Sequence, residues 1–175
     1  TLLTGSAIDF QGTVDGASAL TANGGTTFGK AVGSGTSLTS LTVNGASAIN
    51  GGAVTTGGAQ AYNGPVALGA DTALTGPQVT FGSTLDSASS THRALTISGN
   101  GTFNGAIGAT NALDSLLVTG NALINSGVTS VAVDKTLAVD GTTGINTTGV
   151  IAAATQTYKG AVTLGANATV SGNAT

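Results

Sequence analysis

Gln60-Ala61-Tyr62-Asn63-Gly64-Pro65-Val66-Ala67-Leu68-Gly69-Ala70-Asp71 returns 96 residues later as Gln156-Thr157-Tyr158-Lys159-Gly160-Ala161-Val162-Thr163-Leu164-Gly165-Ala166-Asn167. Thr1-Leu2-Leu3-Thr4-Gly5 likewise returns as Thr72-Ala73-Leu74-Thr75-Gly76, at an offset of 71 residues. Phe10-Gln11-Gly12-Thr13-Val14-Asp15 matches Phe81-Gly82-Ser83-Thr84-Leu85-Asp86 at the same offset. Two long repeats thus occupy 1–71 and 72–167, and 168–175 opens a third. A chain that repeats itself on this scale stacks units, each burying its apolar face against the next.

A shorter motif recurs inside each long repeat: an aromatic residue or Ile, a few small or polar residues, then a β-branched residue or Leu. Its leading residues are Phe10, Phe28, Ile49, Tyr62, Phe81, Phe103, Ile124, Ile145 and Tyr158, spaced by 18, 21, 13, 19, 22, 21, 21 and 13. Most of these spacings equal one solenoid coil of about 20 residues, and the nine residues are expected to stack in the core. The two steps of 13 fall at equivalent places and predict passage of the motif to another face after two-thirds of a coil. Ile124 and Ile145 both align with Ile49 and lie 21 residues apart. The second long repeat therefore carries one added coil, which a solenoid accepts because each coil contacts only its neighbours.

Period-two alternation supports strands. In Leu41-Thr42-Val43-Asn44, Leu95-Thr96-Ile97-Ser98 and Val162-Thr163-Leu164-Gly165, apolar residues alternate with small polar ones, so one face turns inward. Asn44-Gly45, Asn50-Gly51, Asn63-Gly64 and Asn104-Gly105 supply the tight bends of corners. Asn50, Asn63, Asn104, Asn125 and Asn146 occupy one aligned position and are predicted to hydrogen-bond from coil to coil as a ladder. The expected fold is all-β: a right-handed parallel β-helix with three short strands per coil and roughly nine coils, forming a single solenoid segment over 1–175. At the spacing of paired strands this is a rod about 40 Å long.

Composition agrees. The 175 residues include 29 Gly and no Cys, Met or Trp; 40% are hydrophobic and only 6% charged. Helix-forming Glu, Lys, Arg and Gln are nearly missing, while Thr and Val favour strands. Seven Asp against three Lys and one Arg give a net charge of −3, which excludes the clustered cations of a nucleic-acid footprint. Two Tyr and four Phe make no stacking platform for single strands. Anionic membrane surfaces are disfavoured by the same charge, and no run of about 18 apolar residues predicts a membrane-spanning helix. The absence of Cys removes disulfide and thiolate chemistry and suits a bacterial protein exported unfolded. Thr1 follows neither an initiator Met nor a signal peptide, so the expectation is a processed or excised piece of something longer.

Thr55-Thr56-Gly57-Gly58-Ala59-Gln60-Ala61-Tyr62-Asn63-Gly64-Pro65-Val66-Ala67-Leu68-Gly69-Ala70-Asp71-Thr72-Ala73-Leu74 resembles a recurring block of very large bacterial exoproteins. These are the filamentous-haemagglutinin-like, β-strand-repeat proteins, and Phe81–Asp86 and Leu41–Gly45 resemble their repeats too. The resemblance covers essentially the whole chain and implies a shaft segment of a secreted surface adhesin or extracellular filament.

Chemistry is sparse. His92 is the single histidine, beside Arg93 in the irregular stretch Ala88 to Arg93; alone it cannot assemble a usual transition-metal site, and it reads as an exposed loop residue. No Gly-x-Ser-x-Gly elbow occurs, no dense acidic calcium loops are present, and Gly99-Asn100-Gly101 lacks the rest of a dinucleotide fingerprint. Asp15 and Asp86 share a repeat position and admit a reading as the carboxylates of a polysaccharide hydrolase or lyase. Without aromatic sugar-stacking residues or a clustered basic residue they read instead as turn caps. Asn100, Asn146, Asn167 and Asn173 head Asn-x-Ser/Thr triplets, as chance allows in so Asn- and Thr-rich a chain.

The reading that follows has no catalytic residue, no cofactor and no metal. It is a non-enzymatic structural or adhesive shaft, secreted to the bacterial cell surface. Its partners are neighbouring solenoid segments or copies of itself, end to end or side by side, with a host-cell or matrix receptor or glycans as a further ligand. Nucleic acid and membrane insertion are not expected. Thr-rich outward strands keep an ice-binding solenoid as the alternative, and a polysaccharide-active β-helix enzyme as the second.

Overall fold

A strand leaves its backbone N–H and C=O groups unmet unless another strand lies alongside, and parallel strands need a long crossover between them. A coil of about 20 residues supplies both, because it returns the chain to the same face one strand spacing higher. The computed structural model describes residues 1–172, and Asn173 with its triplet lies outside them. Among the described residues there are seventeen strands and no helix, and every strand pairing is parallel.

Following strand partners upward gives three faces. On the first, Leu3, Ala22, Val43, Tyr62, Phe81, Phe103, Ile124, Ile145 and Leu164 stand one above another. On the second, Ile8, Thr26, Ser47, Val66, Leu85, Ile107, Val131, Ile151 and Val170 do so. Phe10, Phe28, Ile49, Leu68 and Ser87 form a parallel column beside them on that face. The third face stacks Val14, Val32, Val54, Leu74, Ile97, Val118, Val139 and Tyr158. Steps on the first face are 19, 21, 19, 19, 22, 21, 21 and 19 residues. Nine levels on the first face enclose about eight turns, against the roughly nine coils expected from sequence, and the ninth level has no described third-face member.

The three faces are present, but not always as three separate short strands. Ala19–Phe28, Thr72–Phe81, Ala94–Phe103 and Ser130–Val139 each run over two faces. Their ladders absorb the corner in a local register shift, as between Ser98 and Asn100 or Val133 and Thr136. A bulge bends and twists a strand without ending it, so a shallow corner needs no loop. At two such corners Gly24 and Gly99 have φ of 150° and 145°, and a Cβ on either would stand 1.8 Å from a carbonyl oxygen of the coil below, Gly5 and Gly76 respectively.

The nine predicted core residues divide among the faces. Phe10, Phe28 and Ile49 share a second-face column. Tyr62, Phe81, Phe103, Ile124 and Ile145 share the first-face column. Tyr158 stands on the third. Each change of face coincides with a 13-residue step, at Ile49 to Tyr62 and at Ile145 to Tyr158. The column rings stack accordingly: Phe10 on Phe28 at 5.4 Å, Tyr62 on Phe81 at 5.5 Å and Phe81 on Phe103 at 5.4 Å, all nearly parallel.

The long repeats are out of phase with the coil. Leu3 lies on the first face, its equivalent Leu74 on the third and the next equivalent, Val170, on the second. The first repeat advances the chain by three and two-thirds coils and the second by one coil more, that coil being the single step from Ile124 to Ile145. Each return of the block is therefore turned by one face. The Gln-x-Tyr of the block makes the same internal clip in both settings. Gln60 is buried; its Nε2 donates to the Val54 and Thr75 carbonyls (3.2 and 2.9 Å), and its Oε1 accepts from the Tyr62 hydroxyl at 3.0 Å. Gln156 repeats this with Ile151, Ser171 and Tyr158 at 3.2, 2.7 and 2.7 Å. Burial raises both tyrosine hydroxyls above the usual phenol range. They therefore remain neutral donors, as the clip requires.

Candidate functional site

A parallel sheet sets equivalent side chains in rows one strand spacing apart. The outward rows of the first face are accordingly the most regular surface. One row holds Leu2, Thr21, Thr42, Ala61, Thr80, Thr102, Leu123, Gly144 and Thr163. The row that follows the core column holds asparagines. Asn44 Nδ2 donates to Asn23 Oδ1 and Asn63 Nδ2 to Asn44 Oδ1, each at 2.6 Å. Above them Asn125 Nδ2 donates to Asn104 Oδ1 at 2.7 Å and Asn146 Nδ2 to Asn125 Oδ1 at 3.5 Å. Gly82 follows Phe81 at the intervening level and separates the two runs.

Four of the five predicted ladder residues, Asn63, Asn104, Asn125 and Asn146, stand in this row. Asn50 does not. It follows Ile49 on the second face, and its Oδ1 fills the space beside Gly69, 2.0 Å from where a Cβ would stand. The cause is the 13-residue step, which carries the motif to the next face after Ile49. Asn23 and Asn44 complete the row; each directly follows an apolar-polar-apolar triplet, Leu20-Thr21-Ala22 and Leu41-Thr42-Val43. Replacing Asn125 by Ala removes a donor and an acceptor from mid-row and should cost about 1–2 kcal/mol. Asn50→Ala, with no ladder bond to lose, should stay within about 0.5 kcal/mol of wild type in urea unfolding.

A second run on the same face uses backbone donors. Asn100 Oδ1 accepts the Asn121 N–H, and Asn121 Oδ1 accepts the Thr142 N–H, both at 2.8 Å. With Gln78, Thr102, Leu123 and Gly144 these residues line a shallow groove of about 400 Å³ that carries no charged side chain.

All seven aspartates have structural partners. Asp15 Oδ1 accepts the Gly35 and Thr36 N–H groups at 2.7 and 3.2 Å, and Asp86 Oδ1 accepts those of Thr110 and Asn111 at 2.9 and 3.4 Å. Asp71 caps the Ala94 N–H at 3.1 Å, and Asp9 accepts from Gln11 Nε2 at 3.1 Å. Asp114 and Asp140 pair with Lys135 and Lys159, each at 2.8 Å, and the Asp114 hydrogen bond raises the Lys135 ammonium above its usual range. Asp134 meets His92 Nδ1 across the Ala88–Arg93 loop.

Asp15 and Asp86 belong to different faces and are separated by more than three coils, on the order of 17 Å along the axis at the strand spacing. Glycosidase carboxylates lie roughly 5–9.5 Å apart, so these two cannot act as such a pair. Among the described residues no cluster of three or more His or Asp side chains is placed to hold a metal ion, and no helix is long and apolar enough to cross a membrane.

The Gly35 and Thr36 N–H bonds hold the Asp15 carboxyl below its usual range of about 3.8. A lowered folded-state pKa adds stability above the unfolded value and loses it as pH falls through the folded one. Protection of the Gly35 and Thr36 amides from hydrogen exchange should therefore hold at neutral pH and fade only in strong acid. In Asp15→Asn it should be weaker at neutral pH and should no longer change across that acid range.

No family model, curated protein or solved structure matches the chain. The likeness to filamentous-haemagglutinin-like exoproteins therefore rests on repeat style alone.

Proposed function

We propose that the chain is a non-enzymatic shaft of a secreted bacterial surface protein or extracellular filament. The observation that carries this is the unbroken first-face column from Leu3 to Leu164, sealed in the interior from Ala22 to Ile145. Its backbone ladders lie along the rod axis, so stretching the rod loads whole rows of hydrogen bonds together. The outward asparagine rows are bound to one another or to backbone of the next coil, and every aspartate is taken up in a hydrogen bond or an ion pair. Such a surface spends its polar groups on the rod itself, which suits holding a distal binding part away from a cell.

Length in this reading is a modular quantity. Removing residues 104–124 takes out one complete step, Phe103 to Ile124, and lets Asn125 follow Phe103 as Asn104 does. The shortened protein should still unfold cooperatively, with a rod shorter by about 4.8 Å in small-angle scattering. Removing only 104–113 breaks all three columns at that level and should replace the single unfolding transition by separate transitions for the coils on either side. Equal tolerance of both deletions would count against a columnar shaft.

The first-face Thr row supports an ice-binding reading as the second possibility, with Thr at five of nine levels and Ala61, Leu123 and Gly144 between them. Thermal hysteresis of the purified chain would favour it over the shaft.

A further inference from the structure

Six asparagines precede a glycine: Asn23, Asn44, Asn50, Asn63, Asn100 and Asn104. The pair is chemically labile, because a following residue without a Cβ leaves the asparagine side-chain carbon open to attack by the next backbone nitrogen. Ring closure needs that N–H to give up its proton and the side chain to swing over it. The hydrogen bonds of the coil meet these needs unequally. Asn23 and Asn100 lie inside the strands Ala19–Phe28 and Ala94–Phe103. There Gly24 is packed against the Gly5 carbonyl, and the Gly101 N–H donates to the Asn121 carbonyl at 2.9 Å. The Gly51 N–H that follows Asn50 is taken by the Phe28 carbonyl at 3.0 Å. Asn44, Asn63 and Asn104 each follow a strand end, at Val43, Tyr62 and Phe103. Among the described residues the N–H of the glycine after each of these three has no acceptor.

The ladder separates these three. Asn44 is held at both amide atoms, its Nδ2 donating to Asn23 and its Oδ1 accepting from Asn63. Gly82 interrupts the row, so among the described residues Asn63 is held through Nδ2 alone and Asn104 through Oδ1 alone. We infer that this gap is a self-modification site: Asn63 and then Asn104 deamidate spontaneously, and the damage passes down the row from Asn63 to Asn44. Asn63 leads because it is exposed, whereas Asn104 is half-buried. In the step, the glycine nitrogen bonds to the side-chain carbonyl carbon and the carbon–nitrogen bond of the amide breaks. The glycine N–H proton leaves with that nitrogen as ammonia, and water then opens the cyclic imide to aspartate or isoaspartate. A carboxylate only accepts hydrogen bonds, so the bond from position 63 to Asn44 Oδ1 is lost. Asn44 is then held at one atom, as Asn63 was. The upper run stops the process, because Asn125 and Asn146 precede Ser126 and Thr147, whose Cβ hinders attack. The inference rests on the hydrogen bonds of the coil, so it stands or falls apart from the shaft reading.

The test is peptide mapping by mass spectrometry of the purified chain held in warm, mildly alkaline buffer, with fragmentation that separates aspartate from isoaspartate. Conversion should appear first at Asn63, next at Asn104, and at Asn44 only after a lag, with Asn50 and Asn100 intact over the same period. One hydrogen bond of ordinary net strength corresponds to about a five-fold difference in rate, which is the ratio expected between Asn63 and Asn44 at the start. Asn63→Asp should abolish the lag and raise Asn44 conversion by that factor while leaving Asn104 unchanged. Asn125→Ala, which frees the Asn104 amide, should speed Asn104 and leave Asn63 as it was. In guanidinium, where the ladder is gone, all six should convert alike. Equal rates at Asn44 and Asn63 in the folded chain, or an Asn44 rate indifferent to Asn63→Asp, would overturn the inference. So would fastest conversion at Asn50 or Asn100, the folded ranking persisting in guanidinium, or a folded chain that stays intact throughout.

Discussion

Gly99→Ala should split the rod. At φ 145° an L-residue is strained, and its Cβ would stand 1.8 Å from the Gly76 carbonyl oxygen. That oxygen belongs to the backbone of the coil below and cannot swing away as a side-chain tip would. Positive-φ strain alone is of order 1–3 kcal/mol, and displacing a paired strand adds the loss of its ladder bonds, so a penalty above about 3 kcal/mol is expected. In a solenoid this damage is local, because stability is a sum over units and neighbouring interfaces. Chemical denaturation should therefore change from one transition to two, with the coils on either side of Gly99 melting separately. Gly12→Ala provides the control: nothing lies within 4 Å of its added carbon, and its midpoint should barely move. A single unshifted transition in Gly99→Ala would show that the bulge at this corner can reform without glycine.

Phe81→Ala should be nearly as damaging by a different route. Its ring lies between Tyr62 at 5.5 Å and Phe103 at 5.4 Å and is 1% exposed, so truncation opens a cavity in the middle of a stacked aromatic column. Removing a buried Phe costs about 3–5 kcal/mol. The neighbours are fixed by strand ladders above and below, which limits collapse into the space and favours the upper end of that range. Phe81→Leu keeps most of the volume and should recover more than half of the loss. The cavity also uncovers the Tyr62 ring, so its absorbance should shift towards that of a hydrated tyrosine in Phe81→Ala and not in Phe81→Leu. Equal stability of the two variants would mean that the column is held by its ladders alone.

The coil was readable because its signals are local. Apolar residues recurring at about 20-residue spacing, Asn-Gly corners and an added step at Ile124 to Ile145 all leave marks in one dimension. The 13-residue steps even disclosed that the motif changes face. What the sequence hid was the consequence for Asn50, which follows the same motif as Asn63 yet stands on another face, beside Gly69. Whether equivalent residues stack depends on the accumulated path length between them, and a motif alignment discards that length. The two-face strands were hidden for a similar reason. The bulge between Val133 and Thr136 turns a corner without the Gly or Asn punctuation that marks a loop, and Gly99-Asn100 at the Ser98 bulge carries that punctuation without ending the strand. Asp15 and Asp86 show the converse. Their matched positions suggested a pair, whereas the offset of the long repeat puts them on different faces and leaves each to cap its own turn.

That same offset bears on straightness. Every long repeat contains its own compliant places, such as the loop-bearing corners and the glycine bulges. Were the repeat a whole number of coils, these would line up along a single edge, and the rod would acquire one easy direction of flexure and a built-in curve. Advancing by an extra two-thirds of a coil moves them in the second repeat to an edge set 120° from that of the first. Compliance introduced by one repeat is then not reinforced along the same edge by the next.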